Sequence, residues 1–334
     1  WSSDMAIRIA LIGTGAVGPG ILEAMTRKDL GIVLTGVADS RSGMIHPDGI
    51  SSSDLLTRKR ETGLCGDVSI TADDVVRTAP YDVLVEVSPT DAATGEPATS
   101  YIRTALSRGC HVVTSNKGPV ALHYHELKQE ADKAGVSFRF EATVAGAIPI
   151  LHTLLESLGG NEVQALYGVL NGTCNYILTR MAEEGLSYKQ ALDEARALGY
   201  AEADPTYDVK GIDAAIKLVI LANTVLNQRI TLEDIDITGI DLLTEEAIRL
   251  AEEQDATIRL IGEIIPGKNL YRLSPRIIPR HHPLVVHGSL NAIILRTDLA
   301  GDLVFSGKGA GSLETASAVL GDILSIRDRY AGGN

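Results

Sequence analysis

Two charged residues lie four apart in an otherwise apolar stretch of the sequence. Asp213 and Lys217 fall within residues 212–219, where every other residue is Ile, Ala, Leu or Val. This spacing places both side chains on one face of a helix. Such pairs are commonly solvent-exposed, but charges on so apolar a helix are expected to face a cavity or a ligand. A lysine whose pKa is lowered there could accept and return a proton.

A glycine-rich turn, Gly13-x-Gly15-x-x-Gly18, lies between an apolar run and a helical pattern. The first glycine permits a tight turn, the second lets a pyrophosphate approach the backbone, and the third lets the helix pack on the strand. Asp39 follows about 20 residues later at the end of the next apolar run, which is the position expected for a ribose-binding acid. An ordinary turn would explain the glycines alone, but the combination predicts a dinucleotide site. Its phosphate-facing residues would be Gly13, Gly15, Ala16, Val17 and Gly18.

The residues around Asp39 leave the identity of the dinucleotide open. Asp39 could accept hydrogen bonds from the adenosine ribose, which favours NAD. Arg41 and the cluster Arg58-Lys59-Arg60 could instead hold the 2′-phosphate of NADP, or they could belong to a solvated loop. The sequence therefore predicts NAD or NADP without choosing between them.

The elements that must position these residues follow from the apolar runs. Runs at 7–12, 32–38, 83–87 and 111–114 predict buried strands, with a helix at 101–108. This alternation predicts an α/β fold with a Rossmann-type parallel sheet up to about residue 140. Residues 40–69 are expected to form a long loop with one short helix at most. Beyond Glu141, a helix near 150–158, a strand near 165–170 and a helix over 212–226 predict a second, α+β domain.

The length of the chain suggests two domains, and its net charge limits the classes of partner that it could bind. Residues 5–140, rejoined by 307–334, are predicted to form the dinucleotide-binding domain, and 141–306 the second domain. The chain of 334 residues carries 30 Lys and Arg against 43 Asp and Glu, a formal charge of −13. This charge disfavours nucleic acid and membrane surfaces as partners. Three scattered cysteines and the lack of a long apolar run predict a cytoplasmic protein.

Several longer stretches resemble the homoserine dehydrogenases, in the order of that family and over nearly the whole chain. They are Ser88–Thr90, Thr94–Ala98, Thr114–Pro119, Glu141–Pro149, Leu170–Tyr176 and Gly199–Pro205, followed by Asp208, Gly211, Asp213 and Lys217. The resemblance implies NAD(P)-dependent interconversion of L-homoserine and L-aspartate 4-semialdehyde in threonine and methionine biosynthesis. It also implies that the second domain binds substrate and forms a homodimer through a shared sheet.

The resemblance further implies roles for individual residues. Lys117, Asp213 and Lys217 would face the reaction, with Lys217 the usual proton donor and Asp213 holding the substrate hydroxyl. Glu202 would bind the substrate ammonium, and Asp208 would lie near the same pocket with a less defined purpose.

Other positions would complete the site. Thr173, in the Asn171–Thr173 turn, could donate to the substrate carboxylate. Thr90 and Lys117 would lie beside the nicotinamide, and Gly309 would contact it from the C-terminal segment. A structural Na⁺ is implied on main-chain oxygens, which suit a hard monovalent ion. The matching oxygens belong to Glu141, Val144, Gly146 and Ile148.

One departure from the family lies near the C-terminus, where Gly307-Lys308-Gly309-Ala310-Gly311 replaces the usual glycine-proline-glycine-alanine-glycine. The charge of Lys308 near the expected cofactor edge could alter cofactor preference. The chain length predicts a short form of the family, without a regulatory or aspartate-kinase domain.

Two other functions are open at this point. A semialdehyde dehydrogenase would form a thioester through Cys174, which requires a thiolate and a histidine base. The nearest histidine in sequence is His152. A non-catalytic nucleotide sensor could retain the same fold, but it would be expected to have lost Lys117, Asp213 and Lys217.

Overall fold

Strands and helices alternate along the first part of the chain, as the apolar runs predicted. The computed structural model describes residues 6–331. The chain divides into two compact units, one ending at Gly146 and resuming at Gly311, the other spanning Ala147–Ala310. Residues 141–146 therefore group with the first unit and 307–310 with the second, whereas the sequence-based limits placed them the other way. Met5 and residues 332–334, included in the predicted first domain, lie outside the described residues.

Within the described residues, the first unit contains a six-stranded sheet in the order β3-β2-β1-β4-β5-β6. Neighbouring strands are parallel except β3, which runs antiparallel to β2. This is the strand order of the Rossmann fold, with a reversed edge strand. The strands are β1 Ile7–Ile12, β2 Ile32–Ala38, β3 Gly43–Ile45, β4 Val83–Glu86, β5 His111–Thr114 and β6 Phe138–Arg139. The helices are α1 Gly18–Arg27, α2 Ser52–Thr62, α3 Ala72–Thr78, α4 Ala98–Ser107, α5 Lys117–Ala134 and, after the second unit, α12 Ser312–Ala331.

The segment predicted to be a long loop contains more structure than expected. It forms β3 and the three-turn helix α2, which begins where the Ser51 hydroxyl accepts a hydrogen bond from the Asp54 amide at 3.3 Å. Only Leu55 of α2 is buried, so the helix lacks the apolar periodicity on which the prediction depended. Ser51 is thus a helix cap within the segment that was predicted to be mostly loop.

The core of the first unit lies between its sheet and the helices that cover it. Ile9 and Leu11 of β1 are fully buried and belong to the same cluster as Val319 and Ile323 of α12. Burial of these large aliphatic side chains is what returns the C-terminal helix to the first sheet. The carboxyl ends of β1, β2, β4 and β5 are thereby fixed along one edge.

The second unit contains a sheet in the order β12-β11-β7-β9-β10-β8 within the described residues. Its neighbours are antiparallel except β8 and β10. The strands are β7 Val163–Val169, β8 Asp236–Ile237, β9 Ala256–Ile265, β10 Leu270–Pro279, β11 Leu290–Thr297 and β12 Asp302–Lys308. The helices are α6 Ile150–His152, continued by a π-helical turn Thr153–Ser157, then α7 Gly172–Glu184, α8 Tyr188–Ala197, α9 Thr206–Val209, α10 Ile212–Val225 and α11 Glu245–Glu252.

Helix α10 is the central helix of the second unit. Every residue from Asp213 to Thr224 is buried, and the helix packs on β9 and β10. Its mostly Ala, Ile, Leu and Val sequence is explained by contacts on all sides. Among the described residues, neither α10 nor any other helix combines the length and apolar character needed to cross a membrane.

Candidate active site

The glycine turn between β1 and α1 has the backbone geometry that its sequence predicted. Gly13 has φ +107°, and a Cβ there would lie 2.6 Å from the Val87 carbonyl oxygen. A Cβ at Gly18 would lie 2.3 Å from the Gly13 carbonyl oxygen. By contrast, nothing lies within 4 Å of a Cβ placed on Gly15. The protein's own packing explains the first and third glycines, while the second keeps open a space that a pyrophosphate would fill.

A cavity of about 560 Å³ opens beside this turn. It is large enough to receive part of a dinucleotide, and the residues around it fit that group. The predicted residues Gly13, Gly15, Asp39 and Arg41 all line it. Of the remaining predicted phosphate-binding residues, Ala16 is exposed and Val17 half-buried. The other lining residues are Ile12, Thr14, Ser40, Lys59, Ala72, Ser88, Pro89, Pro97 and Tyr101.

Asp39, after β2, is held by four hydrogen-bond donors. The Thr14 hydroxyl donates to Oδ2 at 2.8 Å, and the amides of Arg41 and Ser42 donate to Oδ1 at 2.9 and 3.1 Å. The Lys59 ammonium donates to Oδ2 as well. Burial opposes ionisation, but the bonds from Lys59, the Arg41 amide and Thr14 outweigh it and lower the pKa of Asp39 to about 2. Asp39 is therefore a fixed anion at neutral pH.

The basic residues near Asp39 separate into two groups. Lys59 and Arg41 line the cavity, and both donate to the Gly63 carbonyl oxygen. Arg58 instead donates to the Gly66 carbonyl oxygen at 2.9 Å, and Arg60 is exposed; neither lines the cavity. The sequence could not choose among the three consecutive basic residues, because only the placement of α2 decides which one faces Asp39.

We expect the open space at Gly15 to matter for the cofactor and not for folding. Gly15→Ala should weaken dinucleotide binding about tenfold, because its methyl group would enter the pyrophosphate's space. Gly18→Ala should instead lower the free energy of unfolding by about 1–3 kcal/mol, because its Cβ would clash with the backbone of Gly13. Calorimetric titration and urea unfolding of both variants test this contrast. A Gly15→Ala protein that binds as tightly as the wild type would contradict it.

The loops after β4 and β5 carry the residues predicted to lie by the nicotinamide. Thr90 is half-buried in the first loop, and half-buried Lys117 is the first residue of α5. Asn116 caps that helix, its side-chain oxygen accepting from the Gly118 amide at 3.2 Å. Both loops follow carboxyl ends of parallel strands, where such sheets bind ligands.

In the second unit, Asp213 and Lys217 form the buried pair that the helix pattern predicted. They are 7% and 9% exposed, and the Lys217 ammonium donates to Asp213 Oδ2 at 2.7 Å. It also donates to the Leu170 carbonyl oxygen at 2.7 Å. Among the described residues, these contacts use two of the three positions on Nζ. The third is available to a substrate hydroxyl, and a buried, paired amine of this kind can exchange a proton with it.

Asn171 joins a second carboxylate to this pair. Its Nδ2 donates to Asp208 Oδ1 at 2.7 Å and to Asp213 Oδ2 at 3.0 Å, while its Oδ1 accepts from the Cys174 amide at 2.8 Å. Burial raises the pKa of Asp208, opposed by the bond from Asn171 and reinforced by the charge of Asp213. The Asn171 amide is therefore engaged within the protein. Its sequence signal, an asparagine before the α7 helix, indicated a turn but not this bridge.

Thr173 and Glu202, the other residues predicted to bind substrate, and Gly309, predicted to lie by the cofactor, have different environments. The Thr173 hydroxyl donates to the Tyr200 carbonyl oxygen at 2.6 Å, which anchors the segment containing Glu202. Glu202 itself is exposed. Gly309 lies against Asn291, whose side-chain oxygen would be 2.0 Å from a Cβ at that position. Thr173 is thus bonded to the segment that contains Glu202. Gly309 lies elsewhere, directly after strand β12.

The predicted cation loop has a tightly curved backbone. Ala145 and Gly146 have φ values of +59° and +53°, and the Glu141 carbonyl oxygen accepts from the Val144 amide at 3.4 Å. The Glu141 amide donates to Asp322 Oδ2 at 2.9 Å. Of the four predicted ligands, Glu141, Val144 and Gly146 belong to the first unit and Ile148 to the second.

Cys174 does not have the environment of a catalytic nucleophile. It is fully buried, and its thiol donates to the Asp208 carbonyl oxygen at 3.1 Å. Burial raises its pKa well above the ordinary value, and nearby carboxylates act in the same direction. A thiolate is therefore disfavoured, which argues against a thioester-forming enzyme.

The glycine turn at the edge of a Rossmann sheet, with Asp39 after the next strand, is the kind of site at which nicotinamide-dependent oxidoreductases bind their cofactor. Residues 13–141 match the family profile described as "Homoserine dehydrogenase, NAD binding domain", and 149–324 match "Homoserine dehydrogenase". The chain belongs to the homoserine dehydrogenase family.

Individual relatives agree with this assignment. The chain is 42% identical to the homoserine dehydrogenase of Methanocaldococcus jannaschii, covering 95% of this chain and 98% of that one. It is 36% identical to the NAD(+)-dependent homoserine dehydrogenase of Pseudomonas canavaninivorans, covering 96% of each. A crystal structure from Archaeoglobus fulgidus matches with TM-score 0.90 and 46% identity, over 96% of this chain and 99% of that one. A hyperthermophilic archaeal homoserine dehydrogenase in complex with NADPH matches with TM-score 0.84 and 28% identity, over 97% and 98%.

Proposed function

We propose that this protein interconverts L-homoserine and L-aspartate 4-semialdehyde with NAD or NADP, in threonine and methionine biosynthesis. The buried Lys217–Asp213 pair, whose described hydrogen bonds leave one position on Nζ for the substrate hydroxyl, is the observation that carries the proposal. In the oxidising direction, the hydroxyl carbon loses hydride to the nicotinamide and the hydroxyl loses its proton to a protein base. The test follows reduced-nicotinamide absorbance with homoserine and each cofactor. Absence of turnover with both would refute the proposal.

We assign proton transfer to Lys217, with Asp213 holding its amine and the substrate hydroxyl. Lys117, at the start of α5, would stabilise the developing alkoxide from the cofactor side. Exposed Glu202 would bind the substrate ammonium, since a carboxylate is the natural partner of a cation. Asp208 and Thr173 would shape the same pocket. Glu202→Gln should mainly raise the KM for homoserine.

We further propose that both dinucleotides are accepted, because Lys59 neutralises Asp39 and Arg41 adds a positive charge. Lys59→Met should therefore reduce kcat/KM with NADP about tenfold more than with NAD, since a phosphate depends on this charge and a ribose hydroxyl does not. Arg60→Met is the matched control: it removes the same charge from α2, but Arg60 is exposed and outside the cavity. An equal loss with both cofactors in Lys59→Met would contradict the assignment.

A homodimer is proposed through the face of the second sheet opposite α10. Val169, Ile261, Ala292 and Ile294 form an apolar cluster on this face. Val304 pairs across β11–β12 with Ile294 and is 50% exposed. The cluster is buried within the chain, and Val304 is an exposed apolar side chain on the same face, which we propose that the partner subunit covers.

Val304→Asp should shift the protein from dimer to monomer, because the interface would have to bury an unpaired charge. Sedimentation velocity measures the change. Leu242→Asp, at a position 87% exposed and outside this cluster, is the control and should remain dimeric. A dimer that survives Val304→Asp would place the interface elsewhere.

We also propose a structural Na⁺ on the curved loop at Glu141, Val144 and Gly146, together with Ile148, and a cytoplasmic location. Consecutive left-handed residues at 145 and 146 support a loop shaped by its carbonyl groups, which suit Na⁺. Replacing Na⁺ by tetramethylammonium in the buffer should lower the unfolding temperature if the ion binds there. The three cysteines are free and buried, which is consistent with a reducing compartment.

A further inference from the structure

Glu86, the last residue of β4, carries a carboxyl group with no solvent exposure. The Ser88 amide donates to its Oε1 at 2.9 Å, and the Ser88 hydroxyl donates to the same atom. The Thr114 hydroxyl, at the end of β5, donates to its Oε2 at 3.1 Å. Burial raises the pKa of Glu86, in opposition to these hydrogen bonds. The carboxyl group thus links the ends of two neighbouring strands.

Asn116 extends this link into both following loops. Its amide donates to Thr114 Oγ1 at 3.0 Å, and its Nδ2 donates to the carbonyl oxygens of Ser88 and Pro89, both at 3.3 Å. Its Oδ1 caps α5 through the Gly118 amide. One continuous network therefore fixes the Ser88–Thr90 loop relative to the first turn of α5, which carries Lys117.

Packing alone does not explain a carboxylate at this position. Strand β1, which neighbours β4, ends in Ile12, and the next strand, β2, ends in Ala38; both residues are buried, and a buried acid is far more costly than either. Glu86 is also too deep to touch a ligand. Among the described residues, its hydrogen-bond partners Ser88, Thr114 and Asn116 lie at the two strand ends and in their loops, so its effect must be on how those loops are held.

We propose that Glu86 is a positioning residue for the nicotinamide half of the dinucleotide. It holds the Ser88–Thr90 loop and Lys117 in the relative geometry that hydride and proton transfer require. This inference rests on the proposed function. Asp39 and Lys59, which would bind the adenosine ribose, receive none of the described hydrogen bonds of Glu86 and Asn116. Ser88 and Pro89 line the same cavity, but binding of the adenosine half should depend on Glu86 much less than binding of the nicotinamide half does.

The test compares Glu86→Gln and Thr114→Val with Thr35→Val. Glu86→Gln keeps the shape but replaces one acceptor by a donor, and Thr114→Val removes one partner of the carboxylate. Thr35 is a buried threonine of the same sheet, and its hydroxyl bonds only the carbonyl oxygens of Ile9 and Pro80. It therefore controls for loss of a buried hydroxyl and for lower stability.

Calorimetry measures the Kd of ADP and of the dinucleotide that the wild type uses, and kinetics measure kcat and KM. In Glu86→Gln and in Thr114→Val we expect kcat to fall about 10- to 100-fold, as for slightly misplaced reacting groups. The Kd of ADP and the homoserine KM should stay within about twofold, and the dinucleotide should bind more weakly. Thr35→Val should lower the unfolding midpoint while retaining kcat.

Two results would overturn the inference. One is a kcat near the wild-type value in both Glu86→Gln and Thr114→Val, and the other is an equal loss of ADP and dinucleotide binding in these variants. If Glu86→Gln does not fold, Thr114→Val still decides. An inactive wild type would refute the proposed function instead, and the ADP and dinucleotide titrations would still determine the role of Glu86.

Discussion

Lys217→Met is expected to lower kcat by about 10²–10⁴-fold, the range attributed to a positioned general acid or base. It should also lower the free energy of unfolding by about 3–5 kcal/mol, because removing one partner of a buried ion pair leaves the other charge uncompensated. That other charge is Asp213, 7% exposed and 2.7 Å from the lysine nitrogen. Steady-state kinetics and urea unfolding measure the two effects.

A second variant separates chemistry from stability. Asp213→Asn/Lys217→Met removes both charges and should recover much of the lost stability. Turnover should stay as low as in Lys217→Met, because the proton-transfer amine is still missing. Lys210→Met, an exposed lysine just before α10, is the control and should be unchanged. If Lys217→Met retains more than about a tenth of the wild-type turnover, Lys217 is not the proton-transfer group.

The helices and strands that could be predicted are those in which consecutive residues are apolar because they are buried. The run from 212 to 226 predicted α10 almost to its observed limits because an enclosed helix must be apolar all round. The strands β1, β2, β4 and β5 were found for the same reason. Strand β3 was not predicted, and α2 was expected only as one short helix at an unspecified position in residues 40–69. A three-residue edge strand and a helix with one buried side chain leave no periodic signal. Their stability comes from caps and neighbours that are distant in sequence.

The same distinction applies to the candidate site. The glycine turn and Asp39 were predicted because their geometry is set by the local chain. Asn171 bridges carboxylates 37 and 42 residues away, and Lys59 pairs with an aspartate 20 residues back. Glu86 was the one charged residue within the apolar run at 83–87, and no role was predicted for it. No spacing rule links such partners, since only the packed sheet and helices bring them together.

Lys117→Met is expected to reduce kcat by about 10²–10³-fold, the loss typical of a group that stabilises a developing oxyanion, with a different effect on stability from Lys217→Met. Lys117 is the first residue of α5, where a cation is opposed by the helix dipole. Its removal should therefore change the free energy of unfolding by less than about 1 kcal/mol. Lys128→Met is the control on the same helix. It breaks an exposed i,i+4 pair with Asp132 and should leave kcat unchanged.

The double variant Lys117→Met/Lys217→Met tests whether lysines from two different units serve one chemical step. Groups that act as a unit are strongly non-additive, so the double variant should lose little more turnover than the worse single variant. Independent contributions would instead multiply, giving a loss equal to the product of the two single losses. The comparison uses kcat at saturating cofactor and homoserine. A multiplicative loss would mean that Lys117 and Lys217 influence turnover separately. The proposal that Lys217 transfers the proton while Lys117 stabilises the alkoxide in the same step would then be wrong.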